Sequence, residues 1–202
     1  MSKKVLWESQ IKKNDVALDI GCWDGAKIRK LKDRCVIYGM DIDSSKFRSC
    51  PLAIRERIKK GDATKQIPFK TKFDWIFLEE VLEHVDTPDK LLLNISKSLK
   101  KDGKLIMTTP RSVPFFEFWD PAYLRWRLLH GQRHYHFSEI EISKLFNLAG
   151  LKIEDSYKFG NLKWVLHRWA NVIMRYLIKS KKQIRLKDNE GFCEWAILAG
   201  KK

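Results

Sequence analysis

The sequence has few cysteines, a shortage of acidic residues and no long apolar run. Its four cysteines show no C-x-x-C spacing, which argues against a disulfide framework or a zinc knuckle. No stretch reaches the roughly 18 uninterrupted apolar residues of a membrane span. Residues 1–13 also lack the apolar core of a signal peptide. We therefore expect a cytoplasmic protein without disulfides.

The shortage of acidic residues leaves the chain strongly basic. Forty lysines and arginines against 25 aspartates and glutamates give 202 residues a formal net charge of +15. Because 44% of the residues are apolar, a disordered tail is excluded, and the length fits one domain over residues 1–202. The basic surface predicts an anionic partner, which could be nucleic acid, a phosphorylated substrate or a lipid headgroup.

Short β-branched and aliphatic runs alternate with helical patterns through the first half of the chain. The runs that predict strands in this alternation are residues 15–20, 35–41, 73–78 and 104–109. Two later runs, 151–157 and 192–198, also predict strands, but a long basic, aromatic segment separates them instead of an ordinary crossover. A glycine turn and a helix follow the first run, and a further helix is expected from Ser44. This alternation predicts an α/β fold, with a parallel sheet covered by helices on both faces.

The glycine turn contains Gly21 and Gly25. Such a turn lets backbone amides approach a ligand, and an acid at the end of the next strand, here Asp41, can accept both hydroxyls of a ribose. Nucleoside binding is one interpretation, and an ordinary strand-to-helix turn is the other. Dinucleotide binding is less favoured because the G-x-G-x-x-G spacing is absent.

The order of five motifs resembles that of the class I S-adenosylmethionine-dependent methyltransferases. The motifs are residues 19–25, 38–41, 61–63, 73–85 and 99–103. The resemblance covers nearly the whole chain. It implies a Rossmann-like sheet of seven strands, mostly parallel with an antiparallel last strand, and S-adenosyl-L-methionine as the cofactor.

The same resemblance implies which residues contact the cofactor. Asp19 and the amides around Gly21 would face the methionine end, and Asp41 the ribose hydroxyls. Asp62 would accept a hydrogen bond from the adenine amino group, with the amide of Ala63 beside the ring. The other implied contacts are Cys22, Trp23, Gly25, Ile42, Leu78 and Glu79.

Trp23 departs from the family pattern, which usually has glycine at this position. A side chain there restricts the turn and could crowd the cofactor. We expect the indole to point away from the cofactor or to form a wall of the pocket. A degenerate, non-catalytic relative that binds the cofactor or acts as a scaffold is the alternative.

A cluster of two acids and a histidine follows the strand at 73–78. Glu80, Glu83 and His84 stand at i, i+3 and i+4, so they would share one face if the chain turns helical there. Such a face could hold Mg²⁺ or position a general base. The arrangement resembles that of metal-assisted O-methyltransferases of the ubiquinone pathway and of small-RNA 3′-end methylation. The simpler interpretation is an ordinary helix start with a packed or capping histidine.

Two further histidines, His134 and His136, precede a predicted helix. Ser138 and Glu141 form a capping-box pattern for this helix, which should end near residues 149–150. The histidines therefore belong to the loop before it, at the edge of the sheet where ligands bind. We predict a catalytic or substrate-positioning role for at least one of His84, His134 and His136.

Two segments are predicted to be insertions that roof the pocket, at residues 111–133 and 161–190. The second contains a basic amphipathic helix pattern, with Arg168, Arg175, Lys179 and Lys182 opposite an apolar side. Three interpretations stay open: a helix packed on its own domain, an interfacial helix on an anionic membrane, or an RNA-binding surface.

From these patterns we expect an enzyme that O-methylates a lipid-linked, isoprenoid or glycan small-molecule acceptor, peripheral at the membrane. An RNA 2′-O- or base methyltransferase is the alternative enzyme. The methyl acceptor and the partner, whether a membrane or RNA, are not named by the sequence.

Overall fold

The computed structural model describes residues 3–112, 135–160, 162–180, 182 and 194–202. Five helices and strands open the chain: α1 (Lys3–Ser9), β1 (Val16–Ile20), α2 (Ala26–Leu31), β2 (Val36–Asp41) and α3 (Leu52–Arg55). The middle contains β3 (Ile58–Lys60), β4 (Phe73–Glu79), α4 (Pro88–Ser98) and β5 (Leu99–Pro110). The last part contains α5 (Glu139–Leu148), β6 (Leu151–Phe159), α6 (Leu162–Tyr176) and β7 (Glu194–Lys201).

The seven strands form one sheet in the order β3-β2-β1-β4-β5-β7-β6. The first five pair in parallel, whereas β7 runs antiparallel to both of its neighbours, β5 and β6. The predicted Rossmann-like sheet with an antiparallel last strand is therefore confirmed. Parallel strands need crossover helices, and these cover the sheet on both sides.

Alternate residues along the strands divide the core into two apolar clusters, one on each face of the sheet. On one face, α4 and α5 pack against the strands through Leu91, Leu92, Ile95, Ile142 and Phe146. On the other, α1, α2 and α3 contribute Trp7, Ile28, Leu31 and Ile54. Burial of both faces explains why the central strands β1, β4 and β7 are nearly continuous apolar runs.

The predicted helix from Ser44 is wrong. That segment has a 3₁₀ turn at Phe47–Ser49 and the single turn of α3. Oδ1 of Asp43 accepts a 2.8 Å hydrogen bond from the Ser45 amide, so a side chain takes a backbone donor that a helix would use. Pro51 then ends any continuation before α3. The three-residue strand β3 was missed because its run is too short and too basic.

The capping box predicted at Ser138 and Glu141 is confirmed. The Glu141 amide donates to the Ser138 hydroxyl, and the Glu141 carboxylate accepts from the Ser138 amide at 2.8 Å. Residues 113–133 of the first predicted insertion lie outside the described residues. No helix in the described part of the chain combines the length and hydrophobicity that a bilayer crossing requires.

Candidate cofactor and acceptor site

The strand ends bring the predicted site residues to one edge of the sheet. Asp41 and Glu79 end β2 and β4, and Ile20 of β1 pairs with Leu78 of β4 beside them. Glu194 at the start of β7 pairs with Pro110 and with Phe159. The segments that follow β5 and β6 therefore leave the sheet at this same edge, where open α/β sheets bind their ligands.

The glycine turn is packed tightly between β2 and the segment after β4. Gly21 and Gly25 have φ of +79° and +71°, which L-residues rarely adopt. A Cβ on Gly21 would also overlap Cγ2 of Val81. The amides of Gly21 and Cys22 both donate to the carbonyl of Met40, at 2.9 and 3.2 Å. These two amides anchor the turn on β2.

Trp23 adopts a glycine-like backbone, with φ of +43°. Its amide donates a 2.8 Å hydrogen bond to Oδ2 of Asp41. The indole is 56% exposed, and the Lys46 ammonium lies 5.6 Å from its ring centroid, within cation–π range. The side chain thus stands in solvent at the mouth of the turn, and Cys22 beside it is buried.

Asp41 has the acceptor capacity that a ribose diol needs. Oδ2 accepts from Trp23 and Oδ1 accepts from the Asp43 amide at 3.0 Å. Each carboxylate oxygen keeps a second lone pair, because a carboxylate offers about four acceptor sites. Next to it, Ile42 is 65% exposed, which leaves an apolar surface for a flat ring.

Asp62 is held in a fixed orientation at the next loop. Its Oδ1 accepts from the amide and the hydroxyl of Thr64, at 2.9 and 2.6 Å, and these bonds lower the pKa of Asp62. The carbonyls of Ala63 and Thr64 accept from Asn94 Nδ2 of α4, at 2.9 and 3.0 Å. Asn94 of α4 therefore stabilises the loop of Asp62 and Ala63, which is expected to contact the adenine.

Asp19 lies buried beside a network of charges from α1, α2 and β4. Burial raises the pKa of Asp19 to about 7, opposed by the Lys27 ammonium and reinforced by Glu79. Lys27 Nζ lies 2.7 Å from Oε1 of Glu79 and 3.0 Å from Oε1 of Glu8. Lys4 Nζ, 3.0 Å from Glu79, joins α1 to the same network.

Lys27 and Glu8 were missed at the sequence level. Glu8 is buried and Lys27 is half-buried, and both lie in helices that look ordinary as sequence. Lys27 is 52 residues from Glu79 and 19 residues from Glu8 along the chain, so no local spacing reveals these pairings.

The segment after β4 is not a helix of the predicted kind. Glu80 has φ of +53°, and only a 3₁₀ turn at Leu82–His84 follows. A positive φ at Glu80 breaks the helical path, so Glu80, Glu83 and His84 do not share one helix face. This strained backbone lies at the functional edge, where such conformations tend to cluster.

Glu83 is buried behind this turn. Its Oε2 accepts a 3.2 Å hydrogen bond from the buried Thr109 hydroxyl of β5. Burial and the neighbouring Glu80 carboxylate raise the pKa of Glu83 well above its usual value. His84 Nε2 lies 3.8 Å from Oε1 of Glu83, and burial lowers the pKa of this imidazole. The result is a neutral imidazole beside a buried acid.

The predicted Mg²⁺ site is not supported. Within the part of the chain that is described, no three His, Cys, Asp or Glu side chains are grouped to hold a metal ion. The geometry gives the reason. The Thr109 hydroxyl donates to one oxygen of Glu83, and the left-handed backbone at Glu80 keeps Glu80, Glu83 and His84 off one common helix face. These residues do not fit a hard cation that needs several oxygens at one point.

The loop before α5 approaches the same acid. The Tyr135 amide donates a 3.0 Å hydrogen bond to the Glu83 carbonyl, which places the half-buried His136 one residue from this contact. His134 lies outside the described residues. The structure thus brings His84 and the segment of His136 to one place, the carboxyl ends of β4 and β5.

A family model for a methyltransferase domain matches residues 2–156, well over half of the chain. The chain belongs to this methyltransferase family. The fold and the family together make it a class I S-adenosylmethionine-dependent methyltransferase.

The mitochondrial ubiquinone biosynthesis O-methyltransferase of Candida albicans is 28% identical to this methyltransferase over 102 residues, 46% of the chain and 31% of the relative. The matched region is thus about a third of the length of that relative. Two solved structures with bound S-adenosylhomocysteine share the fold. The Burkholderia thailandensis 1,6-didemethyltoxoflavin-N1-methyltransferase has a TM-score of 0.64 and 16% identity, with 98% of this chain and 76% of that chain covered. The Synechocystis magnesium protoporphyrin IX methyltransferase has a TM-score of 0.63 and 14% identity, with 98% and 78% covered.

The residues at the edge of the sheet fit S-adenosylmethionine. Asp41 has spare acceptor sites, Ile42 offers an apolar surface, and the overlap at Gly21 shows how closely the turn approaches the segment after β4. Asp19 would face the methionine ammonium, Asp41 the ribose, and Asp62 with Ala63 the adenine. The backbone at Leu78 and Glu79, at the end of β4, would line the sulfonium.

Proposed function

We propose that this methyltransferase transfers a methyl group to a hydroxyl oxygen of a lipid-linked, isoprenoid or glycan acceptor. The observation that carries the proposal is the pair of Glu83 and His84 at the acceptor edge. A hydroxyl is a weak nucleophile until it loses its proton, so O-methylation benefits from a positioned base. The curated relative is an O-methyltransferase by name, which supports the same reaction class.

His84 is suited to take the proton. Its lowered pKa keeps the imidazole neutral near pH 7, and a neutral ring has one nitrogen ready to accept. The buried Glu83 carboxyl lies 3.8 Å from Nε2 of His84, and burial raises the pKa of this acid. The role of Glu83 is to position the His84 ring.

S-adenosylmethionine supplies, when bound, a methyl group on a sulfonium. A hydroxyl oxygen that takes up this methyl group would give its proton to His84, and the electron pair of the broken C–S bond would stay on sulfur. Most of the acceleration would come from holding the two reacting centres in contact. The glycine turn and Asp41 would fix one centre, and the segments after β5 and β6 the other.

The proposal is tested by incubating the enzyme with methyl-labelled S-adenosylmethionine and separate lipid, glycan and RNA fractions, followed by mass spectrometry. We expect labelled methyl ether in the lipid or glycan fraction. The variant His84→Gln should reduce turnover roughly 10²–10⁴-fold while S-adenosylhomocysteine affinity stays constant. Label in RNA alone would favour the RNA methyltransferase instead. Label on a nitrogen atom would show N-methylation and overturn the proposed O-methylation.

A further inference from the structure

An apolar stripe on α6 faces solvent. Leu166, Ile173 and Leu177 are 62%, 45% and 77% exposed, and their spacing of seven and four residues puts them on one side of the helix. Tyr176 and Ile178 extend the exposed surface. A contiguous apolar surface of this kind marks an interaction site more often than isolated exposed residues do.

This helix contributes little to the domain core. Of the α6 side chains whose placement is described, only that of Val165 is buried. The two core clusters of the described chain contain no residue of α6. The apolar stripe therefore does not serve to pack the helix on its own sheet; the covered side of α6 is the one that contains the buried Val165 and the half-buried Trp169 and Val172.

Positive charge lies beside the stripe and beyond its end. Residues 161–187 contain eight lysines and arginines and no acid. Lys163 lies on the flank of the stripe, and Lys179 and Lys182 follow the last turn; all three are exposed. The helix ends at Tyr176, and Lys179 has φ of +55°. The predicted basic stripe is thus divided, with Arg168 and Arg175 on the far side of the helix and the two lysines beyond its end.

The position of α6 connects this surface with the active site. The helix begins three residues after Phe159, which pairs with Glu194 at the ligand edge. An apolar, positively charged surface at that edge would bring the acceptor side of the enzyme towards whatever the stripe contacts.

We propose that the stripe, with Lys163, Lys179 and Lys182, docks on an anionic membrane surface. Aliphatic side chains gain from entering the headgroup boundary, and flanking lysines gain from anionic lipid. RNA would need exposed aromatic rings for stacking, whereas the exposed residues of the stripe are aliphatic except for Tyr176. A second copy of the chain would bring like charges together. The docking requires neither cofactor nor acceptor, so it can fail or hold independently of the proposed O-methylation.

Co-sedimentation with vesicles tests the docking. We expect the protein to bind vesicles of phosphatidylcholine containing about a third phosphatidylserine, to bind pure phosphatidylcholine much less, and to dissociate as salt rises. The variant Lys179→Glu with Lys182→Glu should bind at least roughly 25-fold more weakly, since each lysine lost is worth about five-fold and each new glutamate adds repulsion. The variant Ile173→Ser with Leu177→Ser should lose roughly ten-fold or more.

Matched control variants distinguish binding through the stripe from nonspecific binding that depends on net charge or on exposed apolar residues in general. Lys144→Glu with Lys152→Glu reverses two other exposed lysines, and Ile140→Ser with Leu148→Ser removes two exposed apolar residues of α5. Both controls should bind vesicles nearly as well as the wild type, and all variants should keep S-adenosylhomocysteine affinity. Equal losses of vesicle binding in the control variants would overturn the proposal, as would equal binding of the wild type to anionic and neutral vesicles. So would stripe variants that bind vesicles like the wild type but dissociate a dimer or lose RNA binding.

Discussion

The backbone amide of Trp23 donates a 2.8 Å hydrogen bond to Oδ2 of Asp41, so the cofactor turn and the ribose-binding acid form one unit. The bond is possible because Trp23 holds a φ of +43°, a conformation in which glycine is the usual residue. The carboxylate that would bind the ribose therefore also holds the turn in place.

Asp41→Asn should weaken cofactor binding. The amide keeps the shape of the side chain but removes the charge and presents a donor where Trp23 or Asp43 already donates. We expect a loss of about 1–3 kcal/mol in S-adenosylmethionine binding, measured by titration calorimetry. Asp43→Asn is the control, because this exposed acid bonds within its own loop to Ser45. Equal losses in the two variants would remove Asp41 from the site.

Trp23→Gly should be tolerated. Glycine would stabilise the folded state by about 1–2 kcal/mol by relieving the left-handed strain. Two effects would destabilise it by about 0.5–1 kcal/mol each: the larger entropy of glycine in the unfolded chain and the loss of the contact with Lys46. The free energy of unfolding should therefore change by less than about 1 kcal/mol, and S-adenosylhomocysteine affinity should change little because the amide remains. A large gain in affinity would mean that the indole narrows the pocket.

Gly21→Ala should destabilise the fold because the added Cβ overlaps Val81 and the φ is positive. We expect a loss of about 2–4 kcal/mol in the free energy of unfolding, measured with denaturant. Adding Val81→Ala should recover part of the loss by removing the overlap. Gly150→Ala is the control: its φ is also positive, but nothing lies within 4 Å of the new Cβ, so only about 1 kcal/mol should be lost. Similar losses in the two single variants would contradict the overlap.

Cofactor affinity should depend on the ionisation of Asp19. Its pKa of about 7 in the folded protein, against 3.8 as the ordinary value, means that the folded apo-protein binds the proton more tightly than the unfolded chain. The free energy of unfolding contributed by Asp19 is therefore greatest at low pH and falls as pH rises from about 4 to 7. The cationic methionine end prefers the ionised acid, so affinity should rise up to about ten-fold per pH unit below 7 and level off above it.

Calorimetric titration of S-adenosylhomocysteine across this range measures the pH effect. Asp19→Asn should give a flat profile between about pH 5 and pH 7. A pH profile in the variant as steep as that of the wild type would assign the dependence to another group, such as Glu79 or Lys27, which share the network.

The sequence by itself determined the sheet, the glycine turn and the capping box of α5. These depend on local patterns: apolar runs bounded by turns, glycine between strand and helix, and Ser138 three residues before Glu141. The order of the motifs also identified the cofactor. Each motif lies within a few residues, and the order of the motifs is read along the chain, so the sequence shows both directly.

Only the tertiary structure decided the chemistry around Glu83 and Asp19. The spacing of Glu80, Glu83 and His84 suggested a helix face and a metal, but the left-handed Glu80 and the bond from Thr109, 26 residues away, gave a buried acid beside a histidine instead. Likewise, Lys27 meets Glu79 across 52 residues, and the side of α6 that contains Leu166 and Ile173 proved exposed. Desolvation and long-range pairing set these properties, and both depend on which elements the fold brings together.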